Sequence, residues 1–159
     1  MTRRMRAAVL HGREDVRLEE VEIPRLDPGE VLLRTRAALT CGTDVKVYRR
    51  GYHARMIQPP ALFGHEVAGV VEEVGPGVAG VLPGTPVVAA NSAPCGACEY
   101  CRDGRASLCD DLLFWNGAYA EFARIPARIV ERNLVPLEPG TSFRDAALAE
   151  PLACALRGI

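Results

Sequence analysis

The chain has 159 residues, 48% of them hydrophobic and 25% charged, which suits one globular domain with a real core. Its net charge of −1 argues against a nucleic-acid-binding surface, which usually carries a marked basic excess. No apolar run approaches the ~18 residues of a membrane span, and no apolar signal segment follows the charged N-terminus. We therefore expect a cytoplasmic protein with no membrane and no nucleic-acid partner.

The predicted elements are mostly short strands, in keeping with 15 glycines and 12 prolines. Residues 30–37 alternate apolar and polar side chains with a period of two, and residues 67–74 form the clearest apolar run. A short helix through Tyr48 is expected, capped by Thr43 or Asp44. Helical spacing returns after Ser142, which with Asp145 resembles a capping box. Further strands are predicted over residues 5–10, 16–21, 86–90, 117–125 and 127–137.

Four of the six cysteines lie close together in the sequence, in the pattern C-x2-C-x2-C-x7-C. Such spacing is typical of a tetrahedral structural Zn²⁺ with a closed shell of four thiolates and no open position for chemistry. Disulfides would need an oxidising compartment, and an iron–sulfur cluster would favour a final gap of three followed by proline. Arg102 and Arg105 are expected to offset part of the thiolate charge. The predicted zinc lobe spans residues 91–110, and its ligands are Cys95, Cys98, Cys101 and Cys109.

A second group of metal-binding residue types precedes the lobe. A catalytic zinc requires three protein ligands and one exchangeable position, and Cys41 and His65 are natural donors for it. His65 belongs to the pattern G-H-E-x2-G-x5-G-x2-V, and Cys41 opens the run Cys-Gly-Thr-Asp. The pattern is matched by Gly64, His65, Glu66, Gly69, Gly75 and Val78.

These motifs, in this order, resemble the N-terminal catalytic domain of the zinc-dependent medium-chain alcohol dehydrogenases, in the branch of the polyol and threonine dehydrogenases. The resemblance implies a mainly β fold, a GroES-like, partly open β-barrel over residues 1–145 with the zinc lobe projecting from it. Residues 146–159 would be a C-terminal helical segment that starts an absent dinucleotide-binding domain.

The resemblance also implies the ligands of the catalytic zinc. Cys41 and His65 would bind the metal together with Glu150, which precedes a proline as in that branch. Glu66 would approach the metal directly or through water. Cys154 remains the alternative third ligand, and its other interpretation is a small buried hydrophobic residue.

The implied reaction is the reversible oxidation of a secondary alcohol or polyol to a ketone with NAD or NADP, using two zinc ions per chain. Thr43 would pass the alcohol proton outward. Lys46 stands where many relatives carry a relay histidine, which puts a histidine relay in doubt. No dinucleotide-binding βαβ unit, in which a Gly-x-Gly-x-x-Gly turn leads from a strand into a helix, is predicted in this chain, so no cofactor-binding residue is identified. We therefore expect a fragment that is inactive by itself, and a homo-oligomer stays open for the full-length enzyme.

The main alternative is a zinc-ribbon-like binding module without catalysis. It explains the four-cysteine lobe but leaves Cys41, the Gly-His-Glu run and Glu150 without a role. A zinc-free reductase of the same superfamily is a further alternative, and the presence of Cys41 and His65 argues against it. The metal content of the chain distinguishes these hypotheses.

Overall fold

The computed structural model describes residues 3–158, and the chain is mainly β, as predicted. The strands are β1 (Arg4–Gly12), β2 (Asp15–Glu22), β3 (Val31–Leu39), β4 (Ala61–Leu62), β5 (Glu66–Val74), β6 (Pro86–Ala89), β7 (Ser92–Ala93), β8 (Leu113–Phe114), β9 (Phe122–Ile125) and β10 (Leu134–Pro136). The helices are α1 (Gly42–Arg50), α2 (Glu99–Arg102), α3 (Ala127–Asn133), α4 (Phe143–Ala147) and α5 (Ala149–Arg157), with a 3₁₀ turn at Ala106–Leu108.

Two antiparallel sheets form the body of the domain. One has the strand order β10-β6-β5-β3-β9 and the other the order β2-β1-β4, while β7 and β8 pair separately at the base of the lobe. The two larger sheets approach each other at Glu121, whose N–H donates to the Arg6 carbonyl and whose carbonyl accepts from Thr35 N–H. Among the described residues the sheets do not close into a barrel.

The core lies on one face of the five-stranded sheet. Because side chains alternate between the two faces of a strand, Val31 and Leu33 of β3 and Val67 and Val71 of β5 point the same way and are almost fully buried. The other face of β3 and β5 is covered by α4. The contact of α4 with this face of the sheet sets the position of α5, which begins two residues after α4 ends.

The sequence-based prediction of a strand over residues 127–137 is wrong for its first seven residues, which form α3. Ile129 and Val130 are β-branched and suggested a strand, but Pro126 caps a helix in which only Ile129 is fully buried. The polar side chains of α3 instead contact the lobe. Asn133 donates to the Ser92 carbonyl at 2.6 Å, and the helix ends where β10 pairs with β6.

The other predicted strand and helix boundaries differ less from those in the structure. The predicted strand over residues 117–125 is shortened to β9. The helix expected to be capped by Thr43 or Asp44 has Cys41 as its N-cap, at least two residues earlier. Ser142 does cap α4, since its Oγ accepts from Asp145 N–H at 3.1 Å. The predicted domain boundary at residue 145 lies inside α4, and the division itself stays a prediction.

Within residues 3–158, every helix is too short or too polar to cross a bilayer.

Candidate metal centres

The structure brings the four lobe cysteines together. Their sulfur atoms all lie within 4.8 Å of one another, and Cys95 Sγ is 4.0 Å from Cys101 Sγ. Four sulfurs at ~2.3 Å from one tetrahedral ion would be separated by about 3.8 Å, so the cluster has the size of a zinc–thiolate shell. None of the cysteines in the described chain forms a disulfide.

Backbone N–H groups converge on one of these sulfurs. The N–H groups of Ala97 and Cys98 each donate to Cys95 Sγ at 3.3 Å, and these bonds lower the pKa of the Cys95 thiol to about 6. Cys95 N–H in turn donates to Cys109 Sγ at 3.2 Å. Burial raises the pKa of Cys101 to about 12 in the metal-free cluster. A thiolate that accepts two N–H bonds is a ready metal ligand.

Arg132 of α3 contacts the lobe at Cys95 and Gly96. The Arg132 guanidinium lies 3.5 Å from the Cys95 carbonyl oxygen, and it packs so closely on Gly96 that a Cβ there would be 2.6 Å from Arg132 Nη2. Arg105 is instead bound to Asp103 at 2.8 Å. The predicted role of Arg102 and Arg105 in offsetting the thiolate charge therefore stays a prediction, and sequence reasoning missed Arg132.

The second cluster consists of Cys41, His65 and Glu66, whose donor atoms also lie within 4.8 Å of one another. Cys41 Sγ is 3.4 Å from His65 Nε2. A sulfur and a nitrogen on one tetrahedral zinc are separated by about 3.6 Å, so the spacing suits a shared ion. Glu66 is 1% exposed, and its Oε1 is buried with no hydrogen-bond partner among the described residues. A buried oxygen left unpaired beside a thiol and an imidazole is expected of a metal ligand.

The β3–β5 ladder and the start of α1 bring these residues together. Leu39, at the end of β3, pairs with Glu66, at the start of β5, so Cys41 follows directly beside the carboxylate. Cys41 is the N-cap of α1, and its Sγ accepts from Thr43 N–H at 3.3 Å. Gly64, just before His65, has φ +83°, a conformation that favours glycine.

Asp44 forms hydrogen bonds with two of these three residues, His65 and Cys41. Asp44 is 2% exposed, its Oδ1 is 3.0 Å from His65 Nδ1, and its Oδ2 accepts from Cys41 N–H at 3.0 Å. Burial opposes ionisation of Asp44, but the bonds from His65 and Cys41 outweigh it and lower its pKa. Burial likewise favours neutral His65, yet Asp44 raises the histidine pKa. Because Nδ1 is engaged by Asp44, Nε2 is the nitrogen left for a metal.

Sequence reasoning treated Asp44 only as a candidate helix cap. The signal that could have identified it is the spacing itself. An N-cap residue followed three positions later by an acid is a capping box, and here the N-cap is Cys41 and the acid is Asp44. Placing the helix start two residues too late concealed the pattern.

Glu150 lies next to this cluster but outside the set of mutually close donors. Burial and the facing Glu150 carboxyl together raise the pKa of Glu66, since two carboxylates so placed disfavour double ionisation. Glu150 is brought there by the docking of α4, and Cys154 Sγ, one turn further, lies 3.6 Å from its Oε1. Of the two glutamates, the structure therefore groups Glu66 with Cys41 and His65. A ligand role for Glu150 stays a prediction.

The remaining predicted residues differ in placement. Thr43 is half-buried at the second position of α1, beside Cys41, and Lys46 is exposed on the same helix. Cys154 is exposed, so its interpretation as a small buried hydrophobic residue is wrong. The reason is that α5 has exposed side chains from Leu152 onward.

The structure combines a mainly β fold with two cysteine-containing clusters of candidate metal ligands, one made of sulfur alone and one of mixed donors. The chain belongs to the family described as the alcohol dehydrogenase GroES-like domain, whose model matches residues 27–137. The GroES-like class predicted from the sequence is thereby confirmed.

The chain is similar to curated and structurally characterised dehydrogenases. It is 40% identical to L-threonine 3-dehydrogenase of Pyrococcus abyssi, over 87% of this chain and 40% of that protein. It is 31% identical to sorbitol dehydrogenase of Bacillus subtilis, over 94% of this chain and 43% of that one. The structure of a cobalt- and zinc-bound thermostable alcohol dehydrogenase from Pyrobaculum aerophilum matches with a TM-score of 0.79 and 36% identity, over 92% and 45% of the two chains. The chain thus spans about two-fifths of the curated relatives it matches.

Proposed function

We propose that this chain is the catalytic part of a zinc-dependent NAD(P) alcohol dehydrogenase that oxidises a secondary alcohol, either a polyol or an amino alcohol, to a ketone. The observation that carries the proposal is the cluster of Cys41, His65 and Glu66, with an unpaired buried oxygen on Glu66. The names of the threonine and sorbitol dehydrogenase relatives support the substrate class.

Each centre would hold one zinc ion. The four lobe thiols complete a closed shell and would hold a structural ion. Cys41, His65 and Glu66 would hold the catalytic ion, with Glu150 beside them as a further carboxylate. When bound there, zinc supplies Lewis acidity that lowers the pKa of an alcohol hydroxyl. NAD or NADP, bound in the rest of the full-length enzyme, supplies the hydride acceptor.

The residues of this chain prepare the site for that chemistry. Asp44 keeps the His65 Nδ1 occupied, so that the imidazole presents Nε2 in a fixed orientation. In the metal-free site, burial and the facing Glu150 carboxyl raise the pKa of Glu66. We assign to the Thr43 hydroxyl the transfer of the substrate proton toward solvent. Lys46 is exposed on the same helix.

Metal analysis tests the proposal directly. We expect about two zinc ions per wild-type chain, about one in Cys41→Ser, and a destabilised lobe in Cys95→Ser, because structural zinc contributes folding energy. Circular dichroism should show that Cys41→Ser retains its fold. A wild-type chain with only one ion, lost in Cys95→Ser alone, would instead identify a zinc-ribbon-like binding module.

A second experiment asks whether the mixed-donor centre has an open position. With zinc in the lobe and Co²⁺ at Cys41, His65 and Glu66, a secondary alcohol or polyol should change the visible absorption of the cobalt. Cys41→Ser should show neither the absorption nor the change. An absorption band that no alcohol alters would argue against a catalytic role.

A further inference from the structure

Tyr119 lies between the two chain segments that carry the mixed-donor centre. Its hydroxyl donates to the Leu39 carbonyl oxygen at 2.8 Å and lies 2.9 Å from the Thr40 hydroxyl oxygen. Leu39 and Thr40 immediately precede Cys41 in the chain. The hydroxyl therefore holds the segment from which the thiol ligand projects.

The ring of Tyr119 contacts the other segment. It packs edge-on against Phe63, with ring centroids 5.5 Å apart, and a Cβ on Gly64 would lie 2.5 Å from the Tyr119 ring. These two residues immediately precede His65. The backbone adds to the contact, since Tyr119 N–H donates to the Phe63 carbonyl at 3.0 Å.

The backbone around Tyr119 is itself fixed on both sides. Its carbonyl accepts from Ala8 N–H at 2.8 Å, and Gly117 N–H and Ala118 N–H both donate to the Gly64 carbonyl, at 2.8 and 3.1 Å. Backbone hydrogen bonds thus hold the segment around Tyr119 to β1 on one side and to the chain just before β5 on the other. From this segment the Tyr119 side chain extends to the end of β3.

We propose that Tyr119 is a positioning residue for the mixed-donor metal centre, fixing the distance between Cys41 and the His65–Glu66 pair through its hydroxyl. This inference rests on the proposed function, because it assumes that those three residues share an ion. The ring alone would secure the His65 side. Only the hydroxyl reaches the segment that carries Cys41.

The variant that isolates the hydroxyl is Tyr119→Phe, which keeps the ring and its contacts with Phe63 and Gly64. We expect it to weaken Co²⁺ binding at the mixed-donor centre about tenfold, the lower end of the effect of residues that orient metal ligands. Zinc in the lobe should bind as in wild type. Tyr52→Phe, at a tyrosine whose residue is 52% exposed, is the matched control and should change neither affinity.

The experiment loads the lobe with zinc and then titrates Co²⁺ while recording its visible absorption. Thr40→Val removes the other hydroxyl and lies at an exposed position, so it provides a test even if Tyr119→Phe folds poorly. It should weaken Co²⁺ binding in the same direction, and it should add little in the Tyr119→Phe background.

The outcomes separate the two proposals. If the wild type binds no second ion, the proposed function fails and the role of Tyr119 fails with it. If the wild type binds Co²⁺ and both Tyr119→Phe and Thr40→Val match it in affinity and spectrum, the positioning role alone is refuted. Equal weakening of the lobe and the mixed-donor centre would also refute it, because that pattern indicates general destabilisation.

Discussion

Replacing Asp44 by asparagine tests how the mixed-donor centre is held. Both Asp44 oxygens accept a hydrogen bond, one from the buried His65 ring and one from Cys41 N–H. Asparagine has only one acceptor oxygen, so its NH₂ group must face one of the two donors. If the NH₂ faces His65, the ring shifts its proton to Nε2, and the nitrogen that faces Cys41 can no longer bind a metal.

Two magnitudes follow from this geometry. Loss of one buried, charge-assisted hydrogen bond should reduce the free energy of unfolding of the metal-free chain by about 1.5–3 kcal/mol. Loss of the carboxylate behind the histidine should weaken zinc at the mixed-donor centre by about 10- to 100-fold. Urea unfolding measures the first quantity, and competition with a chelator of known affinity measures the second.

A matched control exists on another helix. Asp145 occupies the same third helical position in α4 that Asp44 occupies in α1, but it is exposed. We expect Asp145→Asn to change stability by less than about 0.5 kcal/mol and to leave zinc binding unaltered. If Asp44→Asn binds zinc as tightly as the wild type does, the assignment of Asp44 as the group that orients His65 is incorrect.

Three further predictions concern other parts of the chain. Gly69→Ala should lower the free energy of unfolding by about 1–3 kcal/mol, because the added Cβ would collide with a carbonyl oxygen of β3. The control is Gly12→Ala, where an added Cβ would have no atom within 4 Å. Equal urea midpoints for the two variants would contradict the prediction. Hydrogen bonds from Arg6 lower the pKa of Glu121, so the ionised carboxylate should stabilise the fold at pH values above its ordinary pKa of 4.5 and lose that effect as the pH falls through its lowered pKa. The difference in unfolding free energy between the wild type and Glu121→Gln should therefore shrink on acidification. A difference that does not change with pH would contradict this prediction. In metal-free chain at pH 7, iodoacetamide should modify Cys95 first among the lobe thiols, as peptide mapping would show, and zinc should protect it.

The features that the sequence predicts are those encoded locally. The period-two pattern located β3, the apolar run located β5, and the cysteine spacing defined the lobe, because each depends on residues within one short segment. The helix α3 was missed since its β-branched pair favours a strand locally. Its helical state depends on contacts with the lobe, such as Asn133 to the Ser92 carbonyl.

The details of the mixed-donor centre depend on distant contacts and were less predictable. Whether Glu66 or Glu150 joins Cys41 and His65 depends on how α4 docks on the sheet, which no local pattern specifies. Tyr119 lies 79 residues from Thr40 in the sequence, and nothing in the residues around it indicates that its hydroxyl reaches that segment. A satisfied tyrosine on a loop has no sequence signature.

The pairing of Leu39 with Glu66 has a consequence for how this chain can vary. Leu39 is the last residue of β3 that pairs with β5, so one residue inserted between Ala37 and Cys41 would displace the thiol relative to the Glu66 carboxylate, even if every other contact survived. Substitutions along β3 can be absorbed by repacking, whereas a change in its length cannot. We therefore expect natural variants of this domain to differ freely in loop length elsewhere and to keep the count of residues here.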